Sequence, residues 1–348
     1  MKVFNRLVSL EFLIFIIFFI FSIYSYLHIF TDELISDYAF NELFINYQAG
    51  FIRRGILGEI YWQINEISKT NPKFFFGIIF YVIYILNIYY LYYILKKYKE
   101  FKFFIIFIIF APQLLMFSIY DYKVFFLKDI FVKFTIFFHG YLVLKYNNEN
   151  YIKYLKYLIL PCLFISILNH EYQMLFISIH ILITLNKTNN FLKINDVLKI
   201  YSILILPIIL IFIFIGDKTQ FSQLNNILKI FDVQIHPQLE GGIYRHLGGF
   251  YKWHFYYFSY RDFINLFLSF IFSILIFFLI FENLINKNVL RLSQNIKKNY
   301  KLFFIPSLIC FTALDHGRNI SLLANHIFIF YITLNCNHDI FVKIYKKI

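Results

Sequence analysis

"PCLFISILNHEYQMLFISIHILITL", residues Pro161–Leu185, decides the fold. Read as one helix, it crosses a bilayer once, and every later segment takes the opposite orientation from the hairpin reading. Read as two helices broken near "NHEY" (Asn169–Tyr172), it is a hairpin. Charge selects between them. One long helix would put the basic loop "NKNVLRLSQNIKKNYK" (Asn286–Lys301) outside, whereas the hairpin puts it inside with the other lysine-rich loops. Lys and Arg concentrate on the cytoplasmic side of membrane proteins, so the sequence predicts the hairpin.

The rest of the chain reads the same way. Of 348 residues, 60% are hydrophobic and only 15% charged, far from the near-even apolar content and quarter charged residues of a soluble domain. The apolar residues run in long blocks such as "LIFIIFFIFSIYSYLHIF" (Leu13–Phe30) and "FIIFIIFAPQLLMFSIY" (Phe104–Tyr120). Blocks near twenty residues match the roughly 30 Å hydrocarbon core of a bilayer. The pattern predicts an all-α polytopic transmembrane helical bundle of about ten spans, both termini cytoplasmic, in a single integral membrane domain over 1–348. The spans fall near Leu7–Phe30, Phe74–Leu95, Phe103–Tyr120, Val124–Leu144, Tyr151–Asn169, Tyr172–Asn186, Leu198–Ile215, Phe263–Ile285, Leu302–Leu314 and Asn319–Asn335. The first block is too long for a signal peptide and lacks an Ala-x-Ala cleavage site, so it reads as a retained helix. Cys162, Cys310 and Cys336 show no ligand spacing and read as packing residues. The net charge of +13 comes from lysines in short inner loops. This sets orientation and does not indicate nucleic acid.

With this topology the polar clusters all fall on the outer face. The larger outer loops are 31–73, read as interfacial helices from apolar spacing at Phe40, Leu43, Phe44, Tyr47 and Phe51, and 216–262, read as mostly irregular around Pro237 and its glycines. Together they form the expected active face. In "GFIRRGILGE" (Gly50–Glu59), Arg53 and Arg54 offer planar donor forks suited to phosphate, with Gly50 and Gly55 permitting close backbone approach. The alternative is interfacial anchoring, or pairing with Glu42 and Glu59. Lys128 and Asp129, with Lys133 and His139, lie within a predicted span. Charges there cost about 3 kcal/mol each and face protein or water, so they are either site groups or an internal ion pair. His170 and Glu171 are an acid/base candidate or a polar turn. The next histidine is His180, so His-Glu-x-x-His zinc chemistry is excluded by spacing. Asp315, His316 and Arg318 interrupt two apolar blocks, and Arg245 adds cationic character to the long loop. Asp32 and Asp37, with Glu33, follow the first span, where an acid is placed to deprotonate an acceptor hydroxyl or simply caps a helix. No resident metal or other cofactor is expected. A divalent cation such as Mg or Mn would enter with a phosphate.

An acidic first outer loop, many spans and outer-face arginines resemble the GT-C superfamily of membrane glycosyltransferases. "GFIRRGILGE", "KD" (Lys128–Asp129), "HE" (His170–Glu171) and "DHGR" (Asp315–Arg318) are similar to stretches of bacterial membrane proteins of surface-polysaccharide gene clusters. O-antigen and capsule polymerases share the arginine-rich outer loops. The resemblance implies a bacterial inner-membrane enzyme acting on a polyprenyl-phosphate-linked sugar and a glycan or lipid acceptor. Asp32 or Asp37 would act as base, Asp129, His170 and Glu171 in proton transfer or positioning, and Arg53, Arg54, Lys128, Arg245 and Arg318 on phosphate. The chain departs from well-known members in lacking a C-terminal soluble domain. A flippase of lipid-linked glycan predicts charge through the membrane depth, which the bare cytoplasmic half disfavours. A scaffold of a glycan assembly complex is the third reading.

Overall fold

The computed structural model describes residues 37–96, 126–188, 191–214, 216–231 and 316–334, with isolated positions in the first predicted span. Helix accounts for 82% of the interpretable part and no strand occurs there, in line with the all-α expectation. The helices are α1 (Asp37–Glu42), α2 (Ile56–Ser68), α3 (Pro72–Lys96), α4 (Asp129–Lys145), α5 (Asn148–Asn169), α6 (Gln173–Lys187), α7 (Ile194–Ile213), α8 (Lys218–Leu228) and α9 (His316–Leu334). Three helices are long and apolar enough to cross a membrane, Pro72–Ile94, Asn148–Asn169 and Ile194–Ile213, and α6 is a shorter apolar helix. The first, third, eighth and ninth predicted spans lie largely or wholly outside the described residues.

The deciding stretch is a hairpin. α5 ends at Asn169 because His170 turns extended (φ −153°, ψ 115°), and α6 starts three residues later. Two contacts fix the direction. Ser166, near the end of α5, donates to Gln173 at the start of α6 (3.1 Å), while Tyr151, near the start of α5, meets Thr184 near the end of α6 (2.9 Å). The helices are therefore antiparallel. α4 runs parallel to α6, since Asp129 faces His170 and His139 faces His180. α9 is also parallel to α6: His326 stacks on Phe176, and Asn186 donates to the Thr333 carbonyl.

Three expectations change in detail. The fourth span begins at Asp129, not Val124, so Lys128 and Asp129 stand at the helix mouth. A carboxylate in the first turn is favoured there by the helix dipole. In the first outer loop the helical spacing from Phe40 to Phe51 does not continue as helix. α1 stops at Glu42, and Leu43, Phe44 and Phe76 instead join Tyr61 in an aromatic and aliphatic cluster that pins the loop onto α2 and α3. In the second outer loop, the expected irregular stretch contains α8. It is nucleated by Asp217, which accepts from Gln220 N at 2.7 Å while Gln220 returns a bond to the Asp217 N–H.

α2 is an amphipathic helix at the side of the bundle. Leu57 and Tyr61 are buried against the bundle. Ile60, Ile64 and Ile67 form a second, exposed apolar stripe at one-turn spacing, and Glu59 and Glu66 lie on the remaining side. A helix with a buried side, an exposed apolar stripe and an acidic side has the pattern of a helix that lies on a membrane surface. Inside the bundle, packing is close. A Cβ on Gly140 of α4 would sit 2.6 Å from Ile329 of α9, the small-residue contact expected where helices associate without a hydrophobic driving force. Within α5, residues Leu155–Ile159 form a π turn.

Candidate active site

Residues from separated parts of the sequence meet at one end of the bundle. Arg54 is the hub. Its Nη1 donates to Glu42 Oε1 at 2.7 Å and its Nε to Glu171 Oε2 at 2.7 Å, with Nη2 closing the second arm of a fork on Glu171. The backbone bends to allow this: Arg54 is left-handed (φ 67°), a conformation costing about 1–2 kcal/mol for an L-residue. Lys128, fully buried, donates from Nζ to the Arg54 carbonyl at 2.7 Å and so clamps the turn. Gly50 is also at positive φ (103°), with the Gln220 amide of α8 where a Cβ would project. At Gly55 a Cβ would strike the Tyr47 ring. Arg53 N donates to the Phe214 carbonyl at 3.2 Å, and Phe51 packs edge-on to Phe214, which fastens the loop to the end of α7.

Beside this hub, His170 Nε2 lies 3.3 Å from Asp129 Oδ1. His170 Nδ1 accepts from Tyr172 N at 3.2 Å, so in the neutral ring the proton sits on Nε2, the nitrogen 3.3 Å from Asp129. The Tyr172 N–H thus holds the His170 ring beside the Asp129 carboxylate. The group able to accept a proton from a hydroxyl is the Asp129 carboxylate. Burial lowers the His170 pKa below its ordinary value, and neighbouring Asp129 pulls in the opposite direction. For Glu171, burial raises the pKa, but the Arg54 guanidinium and its hydrogen bonds outweigh this and hold the carboxyl well below the usual range. Burial lowers the pKa of Arg53 as well, opposed by Glu171 and reinforced by Arg54. Three cations (Arg53, Arg54, Lys128) stand with three carboxylates (Glu42, Asp129, Glu171), and buried Lys133, one turn along α4 from Asp129, adds a fourth cation at the edge of the cluster.

The two carboxylates named as alternatives for the arginine pair separate. Glu42 pairs with Arg54, whereas Glu59 accepts from Tyr47 N and the Gln48 amide. Of the remaining expected groups, Asp37 is in α1, and His316 and Arg318 open α9. Because His326 is level with Phe176, the register of parallel helices brings the start of α9 to the cluster end. Asp32, Arg245 and Asp315 lie outside the described residues. Among the described residues no group of three His, Cys, Asp or Glu is arranged to hold a metal.

Sequence reading missed a second polar layer. Gln173 Oε1 accepts from Thr135 (2.9 Å) and Ser166 (3.1 Å), and below it His180, His139, Tyr151 and Thr184 are linked in series. A signal existed: Asp129 to His139 and His170 to His180 share one spacing, as two parallel helices with matched polar positions require.

No family model, curated protein or solved structure matches this chain.

Proposed function

We propose that the chain is a bacterial inner-membrane enzyme of about ten spans with cytoplasmic termini. It would transfer a sugar or repeat unit from a polyprenyl-(di)phosphate donor to a glycan or lipid acceptor at the outer face. The observation that carries this reading is the convergence of Arg53, Arg54, Lys128, Asp129, His170 and Glu171 at one end of the bundle, next to an interfacial helix. Polar groups that converge from distant segments mark ligand sites, and a lipid-linked substrate must be met at the membrane surface.

In this reading the labour is divided. Arg54 is held by two carboxylates and serves as the strut that shapes the site. Arg53 is the phosphate-gripping arginine, its charge offsetting that which develops on the leaving group. Asp129, oriented by His170, accepts the proton of the attacking hydroxyl. Arg318, at the start of α9, is a second phosphate ligand, and any Mg or Mn enters with the diphosphate.

The test is a comparison of Arg53→Gln, Asp129→Asn and Arg318→Gln, each confirmed to insert in the membrane. The readouts are surface glycan length and accumulated lipid-linked precursor. Shortened glycan with precursor build-up is expected from all three. Wild-type glycan from all three would discard the reading.

A further inference from the structure

The polar side of α2 takes no part in the roles given above. At about 100° per residue, α2 divides into three sectors. Leu57, Gly58 and Tyr61 are buried, and Ile60, Ile64 and Ile67 are exposed. Glu59, Trp62, Gln63 and Glu66 share the remaining sector, within about 100° of arc. Gln63 and Glu66 are exposed, and Glu59 and Trp62 half-buried. Gln48, exposed on the loop before α2, bonds into the same sector.

This face is ordered. The Glu59 carboxylate accepts from the Tyr47 N–H at 3.0 Å, from Gln48 Nε2 at 3.0 Å and from Gln63 Nε2 at 2.8 Å. Trp62 Nε1 donates to Glu66 Oε1 at 2.9 Å, which fixes the indole at the edge of the face. Groups already held in place cost a ligand less ordering when it binds. The face is also continuous with the charged cluster, because Tyr47 belongs to the loop that delivers Arg53 and Arg54.

Composition selects the ligand. Helices that lie on anionic membranes carry Lys and Arg on the polar side, and between Ile56 and Ser68 there is neither. Two carboxylates repel phosphate, so this side of α2 suits neither the phosphates of a donor nor an anionic headgroup. A neutral polyhydroxyl fits it. Carboxylates and primary amides are planar groups with paired polar atoms, which bridge neighbouring hydroxyls of a pyranose, and an indole packs against the C–H face of a sugar. Among the described residues nothing donates to the amide oxygens of Gln48 and Gln63, which can accept from sugar hydroxyls.

We propose that Gln48, Glu59, Trp62, Gln63 and Glu66 form a docking face for the acceptor, a neutral oligosaccharide chain. The proposal rests on the transfer reading above and names where the acceptor lies in it.

The test places the photo-crosslinking residue p-benzoylphenylalanine singly in place of Gln63, Glu66, Ile67 or Lys145, in the full chain within its native cells. After irradiation the chain is purified under denaturing conditions and its bands are stained for carbohydrate. The Gln63 and Glu66 sites should give a ladder of slower, carbohydrate-positive bands. The Ile67 site, on the apolar stripe, and the Lys145 site, at the far end of α4, should give none. Trp62→Leu should remove most of the ladder from the Gln63 site while leaving the detergent elution volume unchanged. No ladder at Gln63 and Glu66, equal ladders at all four sites, or a ladder undiminished by Trp62→Leu would each overturn the docking face. Shortened glycan from Arg53→Gln with no ladder at Gln63 or Glu66 discards the face and keeps the transfer reading. A ladder there, with wild-type glycan from Arg53→Gln, Asp129→Asn and Arg318→Gln, does the reverse.

Discussion

Replacing Arg54 separates a structural strut from a substrate ligand. Arg54→Met keeps most of the side-chain length but leaves Glu42 and Glu171 facing each other in a buried setting, where their side chains are only 2% and 13% exposed. Breaking a buried pair by removing one partner costs about 3–5 kcal/mol. Part of the balance is backbone: Arg54→Gly recovers about 1 kcal/mol, because glycine tolerates the left-handed turn that φ 67° imposes. With about 2 °C per kcal/mol in a chain of this size, Arg54→Met should melt roughly 6–10 °C below wild type in detergent, and Arg54→Gly about 2 °C above Arg54→Met. Adding Glu42→Gln and Glu171→Gln to Arg54→Met removes the uncompensated charge and should restore most of the loss. The assay is thermal unfolding of the purified chain by near-ultraviolet circular dichroism. A melting temperature for Arg54→Met within 1 °C of wild type, or a triple variant no better than the single one, would refute the strut and return Arg54 to the list of substrate ligands.

Stability should also fall with acid in two stages. His170 is held neutral by burial in the fold, so below about pH 6.5 the unfolded chain binds a proton that the folded chain does not, at up to about 1.4 kcal/mol per pH unit. Glu171, held well below 4.5, adds a further loss once the unfolded carboxyl starts to protonate. His170→Gln should lessen the fall of melting temperature between pH 6.5 and 4.5 by one group's share, the other buried histidines keeping theirs. Gly58→Ala should lower stability by about 3 kcal/mol or prevent folding, because the new Cβ would lie 2.1 Å from the Ile45 carbonyl oxygen and 2.7 Å from that of Leu43, both backbone atoms that cannot swing away. Chemical denaturation in detergent reads this directly. With Trp62 and Trp253 changed to Phe, a new tryptophan at Ile67, which is 89% exposed, should be quenched by brominated lipid; absence of quenching would argue against α2 lying on the bilayer.

The hairpin was legible because a polar "NHEY" interrupts an apolar run and the lysine distribution favours a return over a single crossing. The gathering of "RR", "KD" and "HE" at one end followed from topology alone. Three things were not legible. The sequence offers Glu42 and Glu59 alike as partners for the arginine pair, and the choice of Glu42 is set by a left-handed turn at Arg54 that no propensity favours. The helix at Lys218–Leu228 hides in a polar stretch, where the signal is a capping pair at Asp217 and Gln220 and not an apolar period. The buried polar series escaped because it is built from single His, Tyr and Thr positions on four helices, each unremarkable within its own segment.

The π turn at Leu155–Ile159 has a consequence for how the protein tolerates change in length. In a regular α-helix, Tyr151 and Leu163 would be rotated about 120° apart after three turns. The wider turn takes up one surplus residue, and both are buried on the same side of α5. Deleting one residue of that turn would convert it to ordinary helix and leave Tyr151 and Leu163 about 20° apart, so both would keep their side. Inserting a further residue there has no such slack and would swing Tyr151 by about 100° relative to the hairpin end, taking its hydroxyl from His139 and Thr184 although every member of the series was still encoded. Loss of one codon in the turn is thus absorbed, whereas gain of one is a rotation.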